Sequence, residues 1–180
     1  MKITAIRQQQ KRADRYSVFV EGKYSFSLSE SALLQSKLVS GQELSPQEVR
    51  DYKKLSADDK LYNRALRWVA MRPRTKWEVE TYLARKDASP ALISDILNKL
   101  SEIDLVDDEK FAETFLADRK LLRPSSKRKL VLELRKKRVP DEIVQKVMAE
   151  QAEDDEQIAL QSVIERKRRQ TKYQDNKKLM

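Results

Sequence analysis

Hydrophobic positions follow two different periods along this chain of 180 residues. In the first 58 residues Tyr16, Val18 and Val20 alternate with polar or mixed positions. Glu21-Gly22-Lys23 then offers a turn, and Tyr24, Phe26 and Leu28 alternate again. A period of two marks strands with one buried face, so this stretch predicts a β-hairpin, with Ile3 and Ile6 available for a third strand. Ser29 begins a short helix through Leu33-Leu34, and Gly41 lies in the turn after it. Ser45-Pro46-Gln47-Glu48 combines an N-cap, a proline at the first helical position and a capping-box glutamate. Residues 1–58 are expected to form a small β-rich module closed by short helices.

From Asp59 the period changes to that of helices. Ala65, Trp68, Val69 and Arg72 fall at i, i+3, i+4 and i+7. Thr75 to Glu78 is a second capping box, leading into Val79, Tyr82 and Leu83. Ser89-Pro90 caps a third helix with Ile93, Ile96, Leu97 and Leu100 on one face. The pattern then restarts with Phe111, Ala112, Phe115 and Leu116, then Leu130 and Leu134, then a helix opened by Pro140-Asp141. Ala65, Trp68, Val69 and Arg72 match Ala112, Phe115, Leu116 and Arg119 at an offset of 47. Val79 and Leu83 match Leu130 and Leu134 at 51, which places a four-residue insertion in the intervening turn; Pro90 and Ile93 match Pro140 and Ile143 at 50. Ala159, Val163 and Arg166 suggest the start of a third copy.

The expected fold is therefore mainly α, with tandem three-helix repeats forming an elongated curved rod behind the β-hairpin-containing N-terminal module. The expected divisions are 1–58 for the module, 59–106 for repeat 1, 107–151 for repeat 2 and 152–180 for a partial repeat 3. Trp68, Trp77, Phe111 and Phe115 read as core or near-core residues. Trp77 falls off the Val79/Leu83 face, which makes it the best of them as a platform for stacking a base.

Composition removes most catalytic chemistries. The chain has no Cys, no His and only two glycines, Gly22 and Gly41. That excludes a thiol nucleophile, an imidazole base, a Ser/His/Asp triad and a conventional zinc site. Two glycines 19 residues apart cannot form a phosphate-cradling P-loop. The acidic runs Asp107-Asp108-Glu109 and Glu153-Asp154-Asp155-Glu156 sit where helices should begin, where the macrodipole favours carboxylates without any metal. Neither an enzyme nor a resident cofactor or metal is expected. No apolar run is long enough to span a membrane, and the first ten residues lack a signal peptide's apolar stretch. Absence of cysteine fits a cytoplasmic location.

Charge gives the positive signal. Residues 119–138 carry 10 basic side chains against one acid, Glu133, an excess equal to the whole chain's +9. They are Arg119, Lys120, Arg123, Lys127, Arg128, Lys129, Arg135, Lys136, Lys137 and Arg138. Such a cluster attracts polyanions with salt-sensitive affinity, and compensating acids at helical spacing are nearly absent. Arg166-Lys167-Arg168-Arg169 is a weaker run that points around a helix and reads as a solvated end.

Asn63-Arg64-Ala65-Leu66-Arg67-Trp68, Met71-Arg72-Pro73-Arg74-Thr75 and Glu78-Val79-Glu80-Thr81-Tyr82-Leu83 together resemble the first repeat of the RecX family. Asp107-Asp108-Glu109-Lys110-Phe111-Ala112 and Glu133-Leu134-Arg135-Lys136-Lys137 resemble the second. Arg15 to Phe26 is similar to the extra N-terminal module of some members. The resemblance implies a regulator of the RecA recombinase, with a part in homologous recombination, DNA repair and the SOS response. It lies along the groove of the RecA–single-stranded DNA filament and mostly limits extension, ATP hydrolysis and strand exchange. It implies three tandem three-helix repeats, no active site and no small-molecule substrate. The candidate filament- and DNA-binding residues are the ten of the cluster with Arg64, Arg67, Arg72 and Arg74 of the first repeat. Two departures stand out. Asp87 and Arg138 occupy positions after the second helix of each repeat where glycine is usual, and the chain stops about one and a half helices into the third repeat. A helical module binding DNA without RecA, or an adaptor for an acidic protein, are the alternatives.

Overall fold

The computed structural model describes residues 1–123 and 125–150, together with 161, 164, 165, 167 and 168. The counterparts expected for a third copy, Ala159, Val163 and Arg166, and the run Glu153-Asp154-Asp155-Glu156 lie outside the described residues. In chain order the elements are β1 (Ile3–Gln9), β2 (Arg12–Val20), β3 (Lys23–Ser29), α1 (Glu30–Ser36), α2 (Pro46–Ala70), α3 (Lys76–Ala84), α4 (Pro90–Glu102), α5 (Asp108–Leu122), α6 (Lys127–Lys136) and α7 (Asp141–Ala149). They form two compact units that divide between Trp68 and Val69, in the last turn of α2.

The first unit is built on an antiparallel sheet of order β1-β2-β3. One face of the sheet buries Ile3, Val18, Val20, Phe26 and Leu28 against Leu38, Leu44 and Val49. The strand alternation in the sequence finds this face, with one exception. Val18 pairs with Phe26 but Phe19 pairs with Tyr24, so Ser25 is an extra residue, a β-bulge in β3. The bulge reverses the alternation, and Tyr24 leaves the face of Phe26 and Leu28 to stand 54% exposed on the opposite one.

The edge of β3 is covered by α2. The Ser27 amide donates to Ser56 Oγ at 3.3 Å, and that hydroxyl donates back to the Ser27 carbonyl at 2.6 Å. The Ser29 amide donates to Asp59 at 2.9 Å. Asp59 also pairs with the buried Arg15 guanidinium at 2.9 Å, and Arg15 donates to the Ser27 carbonyl. These bonds hold Asp59 in the first unit. The expected division between 58 and 59 therefore falls inside α2. Ser45 and Glu48 start this helix with a capping box, and no glycine or proline interrupts it before Pro73.

The second unit holds the ends of the repeat pattern. α3 packs on α4, and α7 packs on both α5 and α6. In the second repeat Phe111, Ala112, Leu116, Leu134, Val139, Val144 and Val147 form one core. The four-residue insertion is not in a turn. α5 continues five residues past Ala117, the counterpart of the last residue of α2, so the insertion is about one extra helical turn. From there the two repeats keep a constant offset of 51. Thr75 and Ser126 are the N-caps of α3 and α6, and Ser89 and Pro140 those of α4 and α7. Buried Ile96 then corresponds to buried Val147, which corrects the offset of 50 suggested by the two prolines.

Asp87 and Arg138 adopt left-handed backbone at φ 58° and 59°. The next residues close the helix ends: the Ala88 amide donates to the Leu83 carbonyl and Val139 to Leu134. Non-glycine residues thus fill a helix-ending conformation that glycine adopts without steric penalty.

Candidate functional site

α6 reads Lys127-Arg128-Lys129-Leu130-Val131-Leu132-Glu133-Leu134-Arg135-Lys136. Leu134 is buried, and Leu130 and Val131 pack against the same core. The opposite face, at three- and four-residue spacing, exposes Arg128, Lys129, Leu132, Arg135 and Lys136. The helix begins on three cations with no acid in its first turn and no side-chain bond from Ser126. α1, α2, α3, α5 and α7 all carry acids in the first turn. Backbone N–H groups at a helix start already present partial positive charge, so the cations of α6 add to it.

The cluster divides into engaged and open members. Arg119 donates to Glu133 at 2.8 Å and lies 4.8 Å from the centroid of the Phe115 ring. Arg135 pairs with Asp141 at 2.8 Å, and Lys137 with Glu78 at 2.7 Å. Acids 14, 6 and 59 residues away, none at helical i,i+3 or i,i+4 spacing, therefore compensate these three cations. Lys120 is exposed on α5 and has an interaction of its own. Arg123, Lys127, Arg128, Lys129, Lys136 and Arg138 make no ion pair among the described residues.

Lys137 belongs to a junction between the two repeats. The Thr75 hydroxyl accepts from the Glu78 amide at 3.2 Å and donates to the Lys137 carbonyl at 3.1 Å. The Lys76 amide donates to Asp108 at 2.9 Å. Burial pushes the Glu78 carboxyl up, but the Lys137 hydrogen bond and charge, with the Thr75 amide and Arg72, outweigh it and leave it below its ordinary value. Burial dominates at Asp108 and raises its pKa despite the Lys76 amide. The run Asp107-Asp108-Glu109 is thereby occupied: Asp107 caps α5, Asp108 receives Lys76, and Glu109 pairs with Lys146. The sequence reading missed the part of Lys137 and Asp108 in this junction, because their partners lie 59 and 32 residues away.

Among the first-repeat arginines, Arg64 is exposed on α2 and Arg67 faces Asp14 at 3.8 Å. Arg72 is exposed in the loop after α2, whereas Arg74 is half-buried. Desolvation, with the nearby charge of Arg72, lowers the Arg74 pKa. Trp77 is 42% exposed on α3. No described helix is long and apolar enough to cross a membrane.

A small β module followed by tandem three-helix units, with the cationic surplus on the second, defines a class of helical-repeat scaffold. Residues 1–45 match the family model for the regulatory protein RecX N-terminal domain, 62–100 the RecX first three-helix domain, and 107–148 the RecX second three-helix domain. The chain belongs to the RecX family. It is 32% identical to the regulatory protein RecX of Listeria innocua over 154 residues, 86% of this chain and 57% of that protein. It is also 32% identical to that of Lactobacillus johnsonii over 149 residues, 83% of this chain and 55% of the relative. The chain thus spans a little over half the length of these curated relatives. A crystal structure of regulatory protein RecX shares the fold with a TM-score of 0.78 at 24% identity, covering 99% of this chain and 89% of that one. RecX from Lactobacillus salivarius gives 0.59 at 24% identity over 68% of this chain and 79% of its own.

Proposed function

We propose that this chain binds the RecA–single-stranded DNA filament and restrains its extension, ATP hydrolysis and strand exchange. The observation that carries the reading is the exposed face of α6, where Arg128, Lys129 and Lys136 lack acidic partners among the described residues. A cationic helix face that starts at the positive end of the dipole favours phosphates or a row of partner carboxylates. Arg128 suits bidentate contact with either, and the lysines supply simple neutralisation. Membership of the RecX family supports RecA as the partner. Contact with two neighbouring RecA protomers at once would hinder the motion that accompanies ATP turnover. Arg64, Arg67, Arg72 and Arg74 are a second candidate set for the same filament, and 59–106 and 107–151 are proposed as sequence repeats, the first beginning within α2 and overlapping the first compact unit.

The test is Arg128→Glu with Lys129→Glu and Lys136→Glu in one chain. Lys137 is left intact because Glu78 holds it in the fold. Affinity for RecA-coated single-stranded DNA should fall roughly 10- to 100-fold, with a shallower salt dependence and loss of ATPase inhibition. Unchanged inhibition by the folded variant would sink this placement. Equal wild-type affinity for bare and coated DNA would instead mark a DNA-binding module indifferent to RecA. Indifference to both would favour an adaptor for another acidic protein.

A further inference from the structure

The N-terminal sheet has a second face that the core does not use. Register places Ala5, Phe19 and Tyr24 side by side across the three strands, opposite the face of Ile3, Val18 and Phe26. Phe19 and Tyr24 meet edge to face with centroids 6.2 Å apart. The Arg7 guanidinium lies over the Phe19 ring at 5.4 Å. Gln9 donates to Ser17 at 3.0 Å on the same strands. Tyr24 reaches this face through the bulge at Ser25, and bulges re-aim side chains. Exposed cations flank the face at Arg12, which pairs with Gln9, and at Lys23, beside Tyr24.

We infer that this face is a stacking platform for single-stranded nucleic acid, separate from the cationic face of α6. An exposed aromatic ring on a sheet, beside a guanidinium and small polar side chains, offers what an unpaired base and its phosphate require. Every base has a π-face, so binding is tolerant of sequence, and Arg7 contributes both charge and stacking. A duplex hides its base faces and gains nothing here. The charge argues against an acid-free apolar partner: among the exposed residues of 3–29 the bases Arg7, Lys11, Arg12 and Lys23 outnumber the acids Asp14 and Glu21, Arg15 being buried on Asp59. The cross-strand pairing of Phe19 with Tyr24 also steadies the sheet, but that purpose does not require Tyr24 to be more than half exposed.

The inference stands independently of the filament reading, because RecA is absent from its test. The full chain is titrated with fluorescein-labelled oligothymidylate of about twelve nucleotides across a salt series. Tyr24→Leu should weaken binding roughly 5- to 100-fold with the salt slope unchanged, while Tyr24→Phe keeps wild-type affinity. Reversing charge on α6 should instead flatten the slope. Irradiation with an oligonucleotide carrying 5-iododeoxyuridine should crosslink to Tyr24 or Phe19, and thermal melts establish that each variant is folded. Wild-type affinity in folded Tyr24→Leu, or crosslinks confined to residues 119–138, would overturn the assignment. Equal loss for single-stranded and duplex DNA would overturn it as well, since a duplex hides its base faces and cannot lose a stack on Tyr24.

Discussion

At the start of α3, Thr75 is fully buried, caps the helix, and receives a glutamate three residues on that closes a capping box. At the start of α6, 51 residues later, Ser126 is exposed, makes no side-chain cap, and is followed by Lys127, Arg128 and Lys129. The first site meets every local requirement of a helix N-terminus, and the second opposes them. Both helices form because each buries an apolar stripe, Val79 and Leu83 in one and Leu134 with its neighbours in the other. Packing thus releases the start of α6 from the work of specifying a helix, and its surface positions are free to concentrate positive charge.

The sharpest way to break this comparison is to remove both hydroxyls. Thr75→Ala deletes the cap to Glu78 and strands the Lys137 carbonyl, so it should cost about 2–3 kcal/mol. Ser126→Ala removes no cap and should cost less than about 0.5 kcal/mol. Urea unfolding of the two variants measures the contrast directly. Similar losses would mean that Ser126 caps α6 in solution and that the asymmetry is illusory.

Glu78→Gln probes the junction with a smaller effect, about 1–2 kcal/mol at neutral pH, through the lost charge of the Lys137 hydrogen bond. The Glu78 carboxyl titrates below its ordinary 4.5 in the folded chain. Its contribution is therefore complete above that value and is lost as pH falls through the folded pKa. The gap between wild type and Glu78→Gln should close on the acid side. Asp108 runs the other way: its raised pKa means that stability declines as pH rises from the ordinary 3.8 through the folded value. Unfolding curves from neutral pH to about pH 3 follow both, and a gap that persists to the acid end would count against the Glu78 assignment.

What the sequence made legible was local. The capping boxes at Ser45 and Thr75, the Ser89 cap, the hairpin and the helix faces each depend on residues within one or two turns, and they stand where the pattern placed them. Contacts across long separations were not legible. Nothing near Lys137 announces Glu78, and nothing in Tyr24-Ser25-Phe26 announces that Ser25 is extra and that Tyr24 turns outward. The four inserted residues read as loop because insertion and helix extension are indistinguishable by offset alone. Of the charge cluster, its existence was legible; its division into engaged and open cations awaited the positions of Glu78, Glu133 and Asp141.

The smallest effect tests the idea behind the comparison most directly. Lys129 occupies the position in α6 that Glu78 occupies in α3, so Lys129→Glu restores the missing half of a capping box around Ser126. It also exchanges a cation for an anion at the positive end of the dipole. Both changes favour the helix, and together they should stabilise the chain by about 0.5–1 kcal/mol, raising its melting temperature by roughly 1–4 °C. If the cations of α6 serve a polyanion, the same substitution should weaken nucleic-acid or filament binding and reduce its salt slope by more than one unit charge, because a contact is both lost and reversed. A thermal melt and a salt titration on one sample decide the matter. Stability gained with binding lost means that the start of α6 holds charge at the expense of its own helix. A variant less stable than the wild type would mean that Lys129 has a structural partner and that the charge there is part of the fold.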